Sequence, residues 1–181
     1  MHRIEAYVTL ATILIAIISI LYLPILFFLQ KKGKSIIRQF GGLFWFCSIF
    51  LVGFATIFFI FPIGFSPEFR MLNLAPFAWL NALNSTHIFI TEVIPNILMF
   101  IPFGLFTPIA FRKMRKFYIT VITVLFVTVS IETFQYFIGR SADIDDVFAN
   151  LLGGIIGYGI FKTANLLFEN RIWWNQLIGR Q

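Results

Sequence analysis

The chain has 181 residues, of which 59% are hydrophobic and only 12% charged, and 25 are phenylalanine. Soluble domains carry about 25% charged residues, and a water-soluble core of this size cannot hide so many rings. The composition therefore excludes an ordinary soluble domain, and the net charge of +6 points to loops facing anionic headgroups rather than to nucleic acid.

Cys47 is the one cysteine and sits in an apolar run, so there is no disulfide framework. The predicted class is all-α: a polytopic integral membrane helical bundle with five transmembrane helices.

In chain order, residues 6–29 carry no charge and are long enough to span with some tilt. The run is too long, and Arg3 and Glu5 before it too balanced, for a cleaved signal peptide. Lys31, Lys32, Lys34 and Arg38 form a basic loop, and residues 41–61 form the second predicted span, ended by Pro62 and Gly64. Residues 62–92 are aromatic and proline-rich and read as an interfacial segment, with a short amphipathic helix near residues 79–83 as one option.

The third predicted span, 93–111, holds Pro95, Pro102 and Pro108, each of which removes a backbone donor. Such breaks survive in a membrane only where neighbours satisfy the freed carbonyls, so this helix is expected inside the bundle. Arg112, Lys113, Arg115 and Lys116 form a second basic loop before the spans at 117–138 and 147–168. The tail, 169–181, carries Trp173 and Trp174 among polar residues and reads as interfacial.

Five spans place the two basic loops and the C-terminus on one side. That side holds eleven of the fourteen basic residues, leaving Arg3, Arg70 and Arg140 on the other. The positive-inside rule then predicts a cytoplasmic C-terminus and an outside N-terminus.

The stretch 129–157 contains four of the eight acidic residues: Glu132, Asp143, Asp145 and Asp146. Carboxylates in or on a hydrocarbon layer are costly and are functional suspects. Glu132 lies about 9 Å inside the outer end of its helix at 1.5 Å per residue, and Gln135 shares its face. The reading leaves two roles for Glu132: a structural bond to Gln135 or Arg140, or direct contact with a ligand or proton.

Of the three aspartates, one is expected to cap the next helix, and divalent-cation binding is the alternative. The turn lacks the glycine and closing glutamate of a calcium loop, and no metal or cofactor is assigned. Asp146 and Asn150, at i and i+4, are placed with Glu132 around one polar pocket at the outer leaflet. Asn96 either joins that pocket or caps the helix after Pro95.

The pocket candidates are thus Glu132, Gln135, Arg140, Asp143, Asp146, Asn150 and Asn96. Ala149, Gly153 and Gly157 form a small-residue ridge that permits close helix approach, widened by Gly154. His2 and His87 are isolated, and no serine–histidine pair, phosphate loop or cysteine cluster supports catalysis of a soluble type.

Four motifs occur in a fixed order: Asn73-Leu-Ala-Pro-Phe77, Asn96-Ile-Leu-Met-Phe-Ile-Pro-Phe-Gly104, Ile131-Glu132-x-x-Gln135, and the Arg140–Asp146 turn followed by Asn150 and Gly153-Gly154. Together they resemble the VanZ-like family. The resemblance covers residues 41–168 as a four-helix domain, with residues 1–40 as an added span and basic loop and 169–181 as the tail. It falls on Asn73, Pro76, Asn96, Pro102, Gly104, Glu132, Gln135, Asp143, Asp146, Asn150 and Gly153.

The resemblance implies a multi-pass protein of the bacterial plasma membrane, in a family whose namesake lowers susceptibility to the lipoglycopeptide teicoplanin. The expected partners are membrane lipids, with a lipid-linked wall precursor or a lipoglycopeptide as ligand. A membrane enzyme acting on a lipid-linked precursor, a small transporter and a purely structural protein are the alternatives. The absence of an internal repeat counts against the transporter.

Overall fold

A computed structural model of the chain describes residues 2–31, 35–57, 72–81 and 83–180. The long helices are α1 (His2–Lys31), α2 (Ile36–Ile57), α4 (Ile94–Ala110), α5 (Phe117–Phe137) and α6 (Ile144–Phe168). Two short helices, α3 (Ser85–Ile88) and α7 (Ile172–Ile178), complete the helical set. Among the described residues, four stretches are long and apolar enough to cross a membrane: Ile36–Thr56, Ser85–Ala110, Phe117–Phe137 and Ile144–Phe168. Within α1 the apolar stretch Ile15–Lys31 is shorter.

Side-chain placement is inverted relative to a soluble domain. Phe126, Leu21 and Leu166 are at least two-thirds exposed, whereas Thr107, Thr128 and Asn150 are at most 1% exposed. Apolar groups outward and polar groups inward is the arrangement a hydrocarbon solvent demands. The chain is a polytopic helical membrane bundle.

α4 lies at the centre, packed along α6 on one side and α2 on the other, while α5 packs on α6 and α1 rests against α2. The central position expected for the proline-broken helix is the one observed. Phe100 and Phe103 of α4 join Val52 of α2 and Val124 of α5 in one buried cluster.

The α4–α6 contact runs through glycine. A Cβ added at Gly153 would lie 2.2 Å from the Ile97 carbonyl oxygen, and one at Gly157 would lie 2.1 Å from that of Ile101. Gly104 is equally tight, 2.1 Å from the Gly154 carbonyl oxygen. Gly154 itself turns to Val124 of α5, and Ala149 is buried at the head of the ridge.

Three element boundaries differ from the sequence reading. The third span begins at Ser85, eight residues early, because α3 and a π-helical turn (Phe89–Val93) run straight into α4. The Ile94 N–H reaches back to the Phe89 carbonyl, a wide turn directly before Pro95, whose ring cannot donate to the turn behind it. α6 begins at Ile144 rather than Val147, because Asp143 caps it. Residues 58–71 of the interfacial segment lie outside the described residues, and of the proposed helix at 79–83 the described part is one 3-10 turn, Ala78–Asn81.

An all-helical reading also has no place for two-residue strands. β1 (Leu72–Asn73) pairs in parallel with β2 (Ala142–Asp143), placing Leu72 against Ala142 and Asn73 against Asp143.

The basic end is built from arginines. The Arg38 guanidinium donates to the carbonyls of Ile109 (2.6 Å), Ala110 (2.5 Å) and Leu177 (3.0 Å). Arg115 donates to Pro108 (3.2 Å) and to Ile178. These are the orphan carbonyls at the C-terminal ends of α4 and α7, where a cation also meets the negative end of the helix dipole.

Burial and the neighbouring Arg180, Arg38 and Arg112 push the Arg115 guanidinium down to about 10, so it keeps its charge at neutral pH. The tail is drawn onto this end. Trp174 and Ile178 are buried with Ile109, Tyr158 and Phe161, and Trp173 faces outward.

Candidate functional site

The site begins where α5 stops. Gly139 takes φ +87, a conformation in which a side chain is strained, and the Arg140 N–H returns to the Gln135 carbonyl at 2.9 Å. The reversal leads straight into β2 and the start of α6. There Asp143 is the N-cap, its Oδ1 accepting from the Asp145 N–H at 2.8 Å.

The Asn73–Phe77 segment clasps this turn from outside. Asn73 Nδ2 donates to Asp143 Oδ2 at 2.9 Å, and its Oδ1 accepts from the Ala75 N–H at 3.2 Å. The Phe77 N–H donates to Asp145 Oδ1 at 2.6 Å, and the Phe77 ring stacks on Phe148 at 5.6 Å. Phe77 holds φ +58, which is rare for a bulky residue and is sustained here by the hydrogen bond and the stack together.

Beneath the turn lies a polar cavity of about 510 Å³. All seven sequence candidates line it: Glu132, Gln135, Arg140, Asp143, Asp146, Asn150 and Asn96. They come from α4, α5, α6 and the turn, so residues up to 54 positions apart meet in one volume.

Glu132 Oε2 accepts from the Asp143 N–H at 3.0 Å. In one orientation the Gln135 amide donates to the Thr56 carbonyl at 3.3 Å. Turned over, it donates to Glu132 Oε1 at 3.1 Å and accepts from Arg140 Nη1 at 3.2 Å. The second orientation makes two bonds instead of one and is the one we assign.

A direct Glu132–Arg140 bond, one option from the sequence, is replaced by a relay through Gln135. Asn96 Nδ2 donates to Asp146 Oδ1 at 2.6 Å, so Asn96 belongs to the cavity rather than to a helix cap. Asn150 Nδ2 donates to Thr128 Oγ1 at 2.9 Å, while Asn150 Oδ1, in a residue only 1% exposed, has no partner among the described residues.

Several lining residues escaped the sequence reading. Glu92 sits at the rim, and its signal was present: a lone acid at the entrance of a span. Thr56 and Met99 also line the cavity, yet each looks like any other residue of its apolar helix. Asp145 points away and holds Phe77. Among the described residues, no three His, Cys, Asp or Glu side chains converge in a way that could hold a metal ion.

An apolar groove of about 420 Å³ runs against the outer side of the same turn, lined by Leu72, Leu74, Tyr136, Phe137 and Val147 among others. It shares Glu132 and Asp143 with the polar cavity. The hydrogen bond between those two residues is therefore the seam between a polar chamber and an apolar one.

Fold and site together define a polytopic helical membrane protein with an acid-lined cavity at one end of the bundle. Residues 44–168 match the VanZ/LLP1 family. Protein VanZ of Enterococcus faecium is 34% identical over 136 residues, covering 74% of this chain and 78% of that protein. The chain belongs to the VanZ/LLP1 family. No solved structure matches it.

Proposed function

We propose that this is a multi-pass protein of the bacterial plasma membrane that engages an amphiphile at the outer leaflet, with the headgroup in the polar cavity and the apolar chain along the groove. The observation that carries this reading is the shared wall. Glu132 and Asp143 line both volumes, so one molecule with a polar head and an oily tail can contact both. The outward orientation is supported by charge: eleven of the fourteen basic residues fall on the opposite side in the five-span arrangement.

The amphiphile is a lipid-tailed glycopeptide or a lipid-linked wall precursor. Family membership supports the first, since the family's namesake lowers susceptibility to the lipoglycopeptide teicoplanin. The test is drug susceptibility of a host expressing the wild type or Glu132→Gln, measured with teicoplanin and with a glycopeptide that lacks the lipid chain. Protection by the wild type against teicoplanin alone, lost in Glu132→Gln, is the expected result. Equal protection against both drugs, or none, overturns the reading.

A further inference from the structure

The hydrogen-bond inventory of the cavity is unbalanced in a way that specifies its guest. Both Glu132 oxygens are used, by the Asp143 N–H and by Gln135. Arg140 is engaged by Gln135 and by the Thr56 carbonyl at 3.4 Å. Among the described residues only Oδ1 of the two Asp146 oxygens has a partner, and the Glu92 carboxylate has none. Asn150 lines the cavity, and its buried Oδ1 has no partner among the described residues.

What is left over is a set of acceptors. Among the described residues, the lining carboxylates Glu92, Glu132, Asp143 and Asp146 outnumber the lining cation, Arg140. A guest must therefore bring donors and positive charge.

We propose that the cavity binds the primary ammonium of an amine-bearing amphiphile, held by Asn150 Oδ1, the free Asp146 oxygen and Glu92. An ammonium group offers three N–H donors on a compact, strongly charged centre, one for each acceptor. A trimethylated amine has the charge but no donor, and an N-acetylated one has a single donor and no charge. Both leave acceptors unpaired, and the trimethylated amine leaves even the buried Asn150 Oδ1 without a donor, the situation in which sites discriminate most strongly. The inference rests on the amphiphile reading and gives its headgroup a chemistry. It widens the ligand beyond the two named above: an aminophospholipid or an amino-sugar glycolipid supplies this headgroup.

The test uses the full chain in detergent and two matched pairs of probes. Lysophosphatidylethanolamine is compared with lysophosphatidylcholine, and an alkyl glucosaminide with its N-acetyl counterpart; lysophosphatidylglycerol serves as an amine-free amphiphile. The amine of at least one pair is expected to bind about tenfold tighter than its partner, and the pair that responds identifies the source.

Asn150→Leu and Glu92→Gln are each expected to reduce that preference. Glu92 is exposed and unbonded, so its variant keeps the fold intact even if Asn150→Leu does not, and thermal melting checks both. Equal binding within both pairs overturns the inference, and a buried water that already satisfies Asn150 would give that result. If lysophosphatidylglycerol binds as well as the amines, the ammonium assignment falls while the amphiphile reading stands. If no probe binds at all, the amphiphile reading falls with it.

Discussion

The two ends of the bundle carry charge of opposite sign and use it differently. At the basic end, Arg38 and Arg115 spend their donors on the last carbonyls of α4 and α7. At the acidic end, Asp143 and Asp145 do the mirror-image task, capping α6 and holding the Phe77 amide. But the acidic end keeps capacity in reserve. One Asp146 oxygen, Glu92 and a buried Asn150 Oδ1 are left without protein partners among the described residues. A cluster of charge marks a helix terminus in both places, and unspent hydrogen-bonding capacity is what sets the proposed site apart from the scaffold.

The largest expected effect comes from separating the ends. Gly153→Val drives a side chain into the Ile97 carbonyl at 2.2 Å and pries α6 from α4, which carries Asn96 to Asp146. A loss of about 3 kcal/mol or more is expected from overpacking of this kind. Thermal melting of the purified protein should show it, with cavity binding abolished as well.

Next comes Arg38→Ala, which strips three carbonyls of a charged donor. Hydrogen bonds to charged groups contribute about 1.5–3 kcal/mol. The variant should melt earlier, and its remaining folded fraction should bind amphiphile as the wild type does. Impaired binding per folded molecule would erase the distinction between the ends.

Asn150→Leu should do the reverse. It deletes an unpaired acceptor from a tight site and frees the Thr128 hydroxyl to bond its own helix. Stability should stay within about 1 kcal/mol of wild type, or rise, because one hydrogen bond contributes about that much and the unpaired buried acceptor is removed with it. Loss of ligand binding with retained melting temperature is the signature of a residue kept for function at the expense of stability. A variant that both melts early and binds normally would make Asn150 structural.

How much of this was legible in the sequence depended on range. The spans of α5 and α6 and the central place of α4 followed from apolar run length and from prolines, which are local properties. The seven cavity residues were legible because charged and amide side chains are sparse in a chain with only 12% charged residues, although Glu92 carried the same signal and was missed. Partner choice was not. That Glu132 meets the Asp143 amide and is hydrogen-bonded to Arg140 through Gln135 depends on the positive-φ reversal at Gly139, which sets where the turn returns. Thr56 and Met99 were invisible, since a threonine or a methionine in a membrane helix carries no label for the face it presents. The parallel pairing of β1 with β2 joins residues 70 positions apart and rests on two residues each, too short for any periodic pattern.

That pairing is the reason for the Asn73–Phe77 motif and yields the smallest effect. Asn73 braces Asp143 through Oδ2, leaving Oδ1 to cap α6. Asn73→Ala removes the brace and spares the cap, so a cost of about 1 kcal/mol is expected, the usual contribution of one hydrogen bond. The consequence should be local rather than global: faster hydrogen exchange at the Phe77 and Asp143 amides, with melting nearly unchanged. Because the Asp143 amide is the donor that holds Glu132 at the seam between cavity and groove, loosening it should also weaken binding of a tailed ligand more than that of its headgroup alone. Equal weakening of both would mean that the clasp supports the cavity generally and has no special relation to the seam.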